Sequence, residues 1–197
     1  FQQGEAGDRA ERFGDQLAGR RIFITISRLA EKKNLDRLIQ AVGQVNGDHP
    51  RLGLVIAGDG VLRRKLEARV KECGLDDRVV FLGYRKDVPT LLKSADVYVI
   101  PALREGLPRS LVEAMAVGKP VLASRINGHE EVVVDGSHGR LFDPYSVDEM
   151  ADGLRYFMGL DAAGLRAQGD AAQAHVETYF NRDVMKARYR QLFEELV

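Results

Sequence analysis

Residues 101–120 read PALREGLPRSLVEAMAVGKP and join three features that decide the fold. The run from Val97 to Ile100 just before them is apolar and predicts a buried strand. The proline-containing loop leads into a segment rich in Ala, Leu and Met, which predicts a helix. Gly118 and Pro120 would end that helix, because proline cannot continue it. The stretch is a strand–loop–helix unit, and open α/β sheets bind ligands at such loops.

Two carboxylates lie in this unit, Glu105 in the loop and Glu113 within the helix. Ser110 precedes Glu113 by the spacing of a capping box, in which Glu113 would satisfy an orphan backbone N–H. Separately, Pro108 could be the first helical residue, which suits its fixed φ. The residues leave Glu113 open as a cap or as a ligand-binding group, and Glu105 open as a ligand-binding group or as a solvated loop charge.

The same alternation of strand and helix runs along the chain. Strands are expected at residues 22–26, 52–57, 79–82, 97–100, 121–124 and 139–142. Helices are expected from residue 35, after Gly60 through about Cys73, and over 88–95, 129–134 and 146–197, the last ending in an apolar stripe of Met185, Tyr189, Leu192, Phe193 and Leu196. This alternation predicts a parallel sheet covered on both faces, and right-handed crossovers favour the doubly wound form. The expected fold class is α/β, a Rossmann-like doubly wound parallel sheet of about six strands.

Composition excludes several classes of protein. The 197 residues are 45% hydrophobic and 29% charged, which is ordinary for a globular chain. Lys plus Arg and Asp plus Glu number 29 each, so no cationic bias indicates a nucleic-acid partner. The one cysteine, Cys73, rules out an internal disulfide and is typical of a reducing compartment. We see no membrane span and no signal peptide, and a chain beginning with Phe1 looks like a piece of a longer protein.

The first strand-to-helix turn decides which ligand such a sheet takes. A dinucleotide-binding turn needs glycines, whereas residues 27–33 read SRLAEKK. Gly58-Asp59-Gly60 follows the second strand and is weak evidence alone, and the chain has no Walker A sequence. The turn instead offers Arg28 and Lys33, and a guanidinium with an ammonium suits a diphosphate. The alternative for Lys33 is that it belongs with Lys32 to a solvated helix face.

These residues resemble glycosyltransferase family 4, whose members are retaining enzymes of the GT-B fold that use nucleotide sugars. The resemblance runs from about residue 20 to residue 197 and includes Ser27-Arg28-Leu29 with Lys33, Gly58-Asp59-Gly60, Val80-Phe81-Leu82-Gly83-Tyr84 and the Glu105 to Glu113 loop and helix. It covers the C-terminal, donor-binding half of such an enzyme. The implied organisation is a linker or edge segment at 1–20, a nucleotide-sugar domain at 21–181, and a helix at 182–197 that returns to an N-terminal domain.

The resemblance also implies a role for each matching residue. Arg28 and Lys33 would hold the donor diphosphate and stabilise the leaving nucleotide, with Glu105 beside the transferred sugar. Glu113 would bind the ribose hydroxyls. Donor contacts are also expected from Gly83, Tyr84 and Arg85, which would face the base through their backbone, and from Gly106 and Leu107. Many family members read Glu-Gly-Phe-Gly where this chain has Glu105-Gly106-Leu107-Pro108, so one backbone donor is lost at the proline.

The resemblance implies the reaction and its partners as well. We expect a hexosyltransferase that uses a UDP-, GDP- or ADP-sugar, with a glycan or lipid-linked acceptor reached through the N-terminal domain. We expect no cofactor or metal, since no Asp-x-Asp pair is present and cations replace the metal. Nucleic acid is not an expected partner. The expected location is cytoplasmic, with peripheral membrane association of the full-length protein, and this piece alone is expected to be inactive. The alternatives are an epimerase or phosphorylase of GT-B architecture, or a non-catalytic nucleotide-binding module.

For the aromatic and histidine side chains outside these motifs, we expect structural roles. His129 follows Gly128, and a lone histidine there is more typical of a surface or capping residue than of a catalytic one. Tyr179, Phe180 and Tyr189 recur at helical spacing and are expected in the core or at an interface.

Overall fold

The computed structural model describes residues 9–195, so residues 1–8 and the expected stripe residue Leu196 lie outside the described part. The strands are β1 Arg21–Ile26, β2 Leu52–Ala57, β3 Val79–Gly83, β4 Val97–Ile100, β5 Val121–Ser124 and β6 Gly139–Phe142. Helix α1 is described over residues 9–13; the others are α2 Leu35–Val45, α3 Arg63–Glu72, α4 Val88–Ser94, α5 Arg109–Ala116, α6 Asn127–Glu130, α7 Val147–Gly159, α8 Ala162–Tyr179 and α9 Arg182–Glu195. Short 3₁₀ turns occur at Asp15–Leu17 and Glu31–Lys33.

The six strands form one parallel sheet in the order β3-β2-β1-β4-β5-β6. Arg21 to Ile26 pair in register with Leu52 to Ala57, and β4 joins the other side of β1. The chain therefore leaves β1 in one direction for β2 and β3 and returns to its other side for β4. This confirms the expected fold class.

The helices cover both faces of the sheet. One core cluster joins the sheet to α2, α3 and α7, and the other joins it to α1, α4, α5 and α8. Phe13 and Leu17 are buried in the second cluster, and Arg9 pairs with Asp96 at 2.8 Å. The described part of the expected linker thus packs against the sheet, and the division into segments at residue 20 stays a prediction.

Two helix positions differ from the sequence expectation. The helix after β5 is Asn127–Glu130, earlier than the expected 129–134. The region after residue 146 is helical as expected but divides into three helices. Ser146 accepts the Glu149 N–H at 3.1 Å and Asp161 accepts the Gly164 N–H at 2.7 Å, so each caps a new helix.

Candidate functional site

The candidate site is the cleft at the carboxyl ends of the strands, between β1 and β4. At this point the chain direction across the sheet reverses, and in doubly wound folds ligands bind there. The loop after β1 carries Arg28 and Lys33, and the loop after β4 carries Glu105. The Leu103 N–H donates to the Lys32 carbonyl at 2.9 Å and holds the two loops together.

Gly58 and Gly60 let the loop after β2 lie against the loop after β1. A Cβ on Gly58 would sit 1.9 Å from the Ser27 carbonyl oxygen, and one on Gly60 would sit 2.5 Å from the Leu29 carbonyl oxygen. The Leu29 N–H donates to the Asp59 carbonyl at 3.0 Å in the same contact. These glycines therefore position the turn that carries Arg28, a role that the sequence pattern did not reveal.

Arg28 is exposed and lines a cavity of about 520 Å³. Tyr84, Arg85 and Lys86 lie on another wall of the cavity, and Tyr84 is 74% exposed. The structure thus brings Arg28 and the segment after β3 to one cavity, with three cationic side chains around it.

Arg85 has its guanidinium committed to a neighbour. Its Nε and one terminal nitrogen donate to the two carboxylate oxygens of Asp87 at 2.8 and 2.6 Å. The guanidinium lowers the pKa of Asp87 to about 2, chiefly through this hydrogen bonding. Gly83 has a positive φ of 68°, and its carbonyl accepts the Gly58 N–H at 2.7 Å.

Lys33 and Glu105 form an ion pair within the cleft. The Lys33 Nζ donates to the Glu105 carboxylate, and the side chains are 17% and 15% exposed. Lys33 is therefore not the solvated helix-face residue that the alternative reading described. Glu105 is likewise not a solvated loop charge.

The capping-box interpretation of Glu113 is wrong. Helix α5 begins at Arg109, Pro108 occupies the N-cap instead of the first helical position, and no side-chain cap is found there among the described residues. The Ser110 hydroxyl accepts the Tyr98 hydroxyl at 2.7 Å, and burial raises the pKa of that tyrosine. Glu113 is exposed on α5, which leaves its carboxylate open to a ligand.

Gly128 brings the start of α6 against the loop that carries Glu105. A Cβ at this position would lie 1.9 Å from the Gly106 carbonyl oxygen and 2.8 Å from that of Glu105. The next residue, His129, is fully buried, so the expectation of a surface histidine is wrong. Its Nδ1 lies 2.9 Å from the Ser124 carbonyl oxygen. No residue pattern pointed to this burial.

Gly106 is exposed, while Leu107 turns toward the last two helices. Leu107 lines an apolar groove of about 350 Å³, which we call the α8–α9 groove. Its other lining residues are Tyr179, Phe180, Asn181, Met185, Tyr189 and Leu192. Tyr179 and Tyr189 are at least half exposed, so they are not core residues.

Over residues 9–195, no three His, Cys, Asp or Glu side chains cluster closely enough to hold a metal ion. Within the same range, no helix combines the length and the apolar character needed to cross a membrane.

Comparison with known protein families shows to which family the chain belongs. Residues 8–173 match the family described as glycosyl transferases group 1. The chain belongs to the glycosyl transferases group 1 family. The match contains all the candidate site residues, from Arg28 to Glu113.

Relatives of this group 1 chain include enzymes that handle sugars. The chain is 34% identical over 183 residues to an exopolysaccharide phosphotransferase of Streptomyces coelicolor, covering 92% of this chain and 19% of that protein. It is 33% identical over 136 residues to an Escherichia coli UDP-Gal:alpha-D-GlcNAc-diphosphoundecaprenol alpha-1,3-galactosyltransferase, covering 68% of this chain and 35% of that enzyme. The chain thus spans well under half the length of these two curated relatives.

A solved structure shares the whole described fold. HepE from Anabaena, in complex with UDP, superposes with a TM-score of 0.87 at 25% identity. The alignment covers 99% of this chain and 54% of HepE. The group 1 chain therefore corresponds to about half of HepE.

Proposed function

We propose that this chain is the donor-binding domain of a retaining glycosyltransferase of family 4. The enzyme would transfer a hexose-type sugar from a nucleoside diphosphate sugar to a glycan or lipid-linked acceptor. The supporting observation is the arrangement of Arg28 and Lys33 at the glycine-free turn after β1, with Glu105 of the β4 loop in contact with Lys33.

The cations have a physical task in this reaction. Cleavage of the bond between sugar and diphosphate builds negative charge on the leaving nucleotide, and fixed positive groups stabilise that charge. Arg28 and Lys33 would supply the positive charge, together with the N-terminus of α5. No divalent metal is required in this proposal, because these groups already stabilise the negative charge that develops on the leaving nucleotide.

The remaining residues would bind other parts of the donor. Glu113 would accept hydrogen bonds from two ribose hydroxyls, since an ionised carboxylate is an acceptor at both oxygens. Backbone groups of Gly83, Tyr84 and Arg85 would face the base, beside the cavity that Arg28 lines. Glu105 and Gly106 would lie at the sugar.

Leu107 takes a smaller part in this proposal than the resemblance implied. Its side chain lines the α8–α9 groove and is 56% exposed. A donor contact from Leu107 would therefore come from its backbone.

The alternative functions expected from the sequence have less support. The two relatives named above are transferases, and HepE was solved with UDP, which does not favour an epimerase or a phosphorylase. A non-catalytic module would have no need for Arg28, Lys33, Glu105 and Glu113 together. The cytoplasmic location and the membrane association stay predictions.

Calorimetry with the chain and UDP-, GDP- and ADP-glucose tests the proposal. We expect one of the three to bind, and Arg28→Ala to weaken that binding about tenfold or more, because a charge-assisted hydrogen bond contributes roughly 1.5–3 kcal/mol. Arg166→Ala, an exposed arginine on α8, is the matched control and should bind normally. Equal affinities for wild type and Arg28→Ala would contradict the assigned role.

A further inference from the structure

The imidazole of His129 is fully buried, and half of its hydrogen-bonding capacity is unused. Its Nδ1 lies 2.9 Å from the Ser124 carbonyl oxygen. Because a carbonyl only accepts, Nδ1 carries the proton and Nε2 of the neutral ring is left as a lone pair. Within residues 9–195, this buried Nε2 has no hydrogen-bond partner. Such a buried group needs an explanation beyond packing.

His129 directly follows Gly128, whose added Cβ would lie 2.8 Å from the Glu105 carbonyl oxygen, so it adjoins the loop after β4. The charged groups that act on the ring are Glu105, from this loop, and Lys33, from the 3₁₀ turn after β1. The pKa of His129 is lowered, chiefly by burial, and Lys33 lowers it further. The Ser124 carbonyl and Glu105 oppose this shift. The ring is therefore neutral at neutral pH. A neutral Nε2 and a carboxylate are both acceptors and cannot bond to each other.

Donor binding would change the charges around the His129 ring so that protonation of the ring becomes more favourable. The proposed function places the Lys33 ammonium on the donor diphosphate, which removes the Glu105 carboxylate from its present partner. The ring then loses a nearby cation and gains nearby negative charge from the diphosphate. Both changes favour a proton on Nε2, because a charged neighbour favours the opposite charge.

We propose that His129 is a positioning residue for Glu105 and takes up a proton when a nucleotide sugar binds. The proton comes from solvent and is added to Nε2, and no covalent bond of the donor changes in this step. The new Nε2–H donates to the Glu105 carboxylate and replaces Lys33 as its partner. The inference rests on the proposed function, since the donor diphosphate must engage Lys33.

Calorimetry of UDP-glucose binding in buffers of different ionisation enthalpy measures this proton directly. UDP-glucose is the probe because its diester diphosphate has no group that titrates near neutral pH, unlike the terminal phosphate of UDP. At about pH 6.5, near the ordinary histidine pKa, we expect wild type to take up roughly half to one proton per donor. Affinity should rise by up to about tenfold for each pH unit lowered through this region.

Two substitutions at His129 and one control assign the proton. His129→Asn keeps a donor near the Nδ1 position, and His129→Gln reaches toward the Nε2 position, so both remove the titrating group. We expect neither variant to take up the proton. His49 lies just before β2, at the opposite end of the strands from the cleft, and His49→Asn should behave as wild type. In parallel, ring resonances of the four histidines in wild type report whether His129 titrates at higher pH with UDP-glucose bound.

The outcomes separate the inference from the proposed function. Binding with an enthalpy that does not depend on the buffer overturns the inference alone. Proton uptake that persists in folded His129 variants also overturns it, because another group would then accept the proton. If both variants unfold, the wild-type resonance of His129 decides, and an unchanged titration overturns the inference. If GDP- or ADP-glucose binds in place of UDP-glucose, the same measurements are made with that nucleotide sugar, whose diphosphate is likewise a diester. If UDP-, GDP- and ADP-glucose all fail to bind, the proposed function and the inference are both rejected.

Discussion

Lys33 and Glu105 are 72 residues apart in sequence and form an ion pair in the candidate cleft. The pair leaves the Lys33 ammonium already occupied before a phosphate arrives. We expect Glu105→Gln to bind UDP about threefold to tenfold more tightly than wild type, a gain of roughly 0.7–1.4 kcal/mol, because the ammonium is released. UDP lacks the transferred sugar and therefore loses no contact to Glu105. Calorimetry with UDP measures the change, and an equal or weaker affinity would contradict the assignment of Lys33 to the diphosphate.

Glu113 gives a prediction that separates binding from stability. Since the capping box is absent, Glu113→Gln should change the free energy of unfolding by no more than about 0.5 kcal/mol. UDP affinity should fall about tenfold, because an ionised acceptor of two ribose hydroxyls is lost. Glu177→Gln on α8 is the matched control for removing an exposed charge. Unchanged UDP affinity in Glu113→Gln would remove this residue from the donor site.

Gly128 is a position where one methyl group should disturb the cleft. A Cβ there would lie 1.9 Å from the Gly106 carbonyl oxygen, so Gly128→Ala must displace the loop of Glu105 or α6. We expect a loss of about 1–3 kcal/mol in the free energy of unfolding, typical of overpacking, and weaker UDP-glucose binding. Gly47→Ala, where no atom lies within 4 Å of the added Cβ, should be nearly neutral. Equal urea denaturation midpoints for the two variants would disprove the close contact.

The local parts of this fold could be predicted from the sequence, while contacts between distant segments could not. Apolar runs bounded by Gly and Pro predicted the six strands, and β3 ends at Gly83, only one residue beyond the expected end. Ser110 fits a capping box by spacing, but its hydroxyl is taken by Tyr98 across the β4–α5 unit. A local pattern cannot show such competition.

Two features of the candidate site depend on contacts between loops of different strands, and the sequence did not predict them. Arg28 and Lys33, by contrast, were assigned to the site from a single turn, which lacks glycine and offers two cations. The burial of His129 was missed, since it depends on Gly128 lying against Gly106. The Lys33–Glu105 pair was also missed, although both residues were assigned to the site, because spacing cannot show which charges meet. Spacing thus selects candidate residues, but it does not show their partners.

Buried histidines make stability depend on pH. His138 accepts the Val134 N–H at its Nε2 at 3.1 Å, and its ring centre lies 4.6 Å from that of His175. Burial lowers the pKa of both below the ordinary 6.5. Above 6.5 both are neutral whether folded or unfolded. As the pH falls below 6.5 the unfolded chain binds protons first, so stability falls until the folded-state pKa is passed.

Urea denaturation at about pH 7.5 and 5.5 measures this dependence. We expect wild type to be less stable at the lower pH, by up to about 1.4 kcal/mol for each histidine that resists protonation. His138→Asn should be less stable at both values, with a smaller difference between them. His49→Asn should keep the wild-type difference. A wild-type stability independent of pH would contradict the neutral burial of these rings.

The chain by itself should bind a nucleotide sugar and transfer none of it. It spans about half of HepE and about a third of the galactosyltransferase relative, and its cleft holds the proposed donor residues. Transfer between two substrates gains up to roughly 7–11 kcal/mol from holding both in one geometry. One wall of a cleft binds the donor without orienting an acceptor.

The α8–α9 groove leads to a separate prediction, that the isolated chain self-associates. Leu107, Met185 and Leu192 are at least half exposed within it, and apolar patches of this kind mark surfaces that other protein covers. We expect the isolated chain to self-associate weakly, and Met185→Lys with Leu192→Lys to abolish this without loss of UDP binding. Ultracentrifugation measures the association.

Sugar transfer is tested by comparing the chain with a longer form that also contains the N-terminal half of a GT-B enzyme. Turnover by the chain at nearly the rate of the longer form would show that these residues suffice for the reaction.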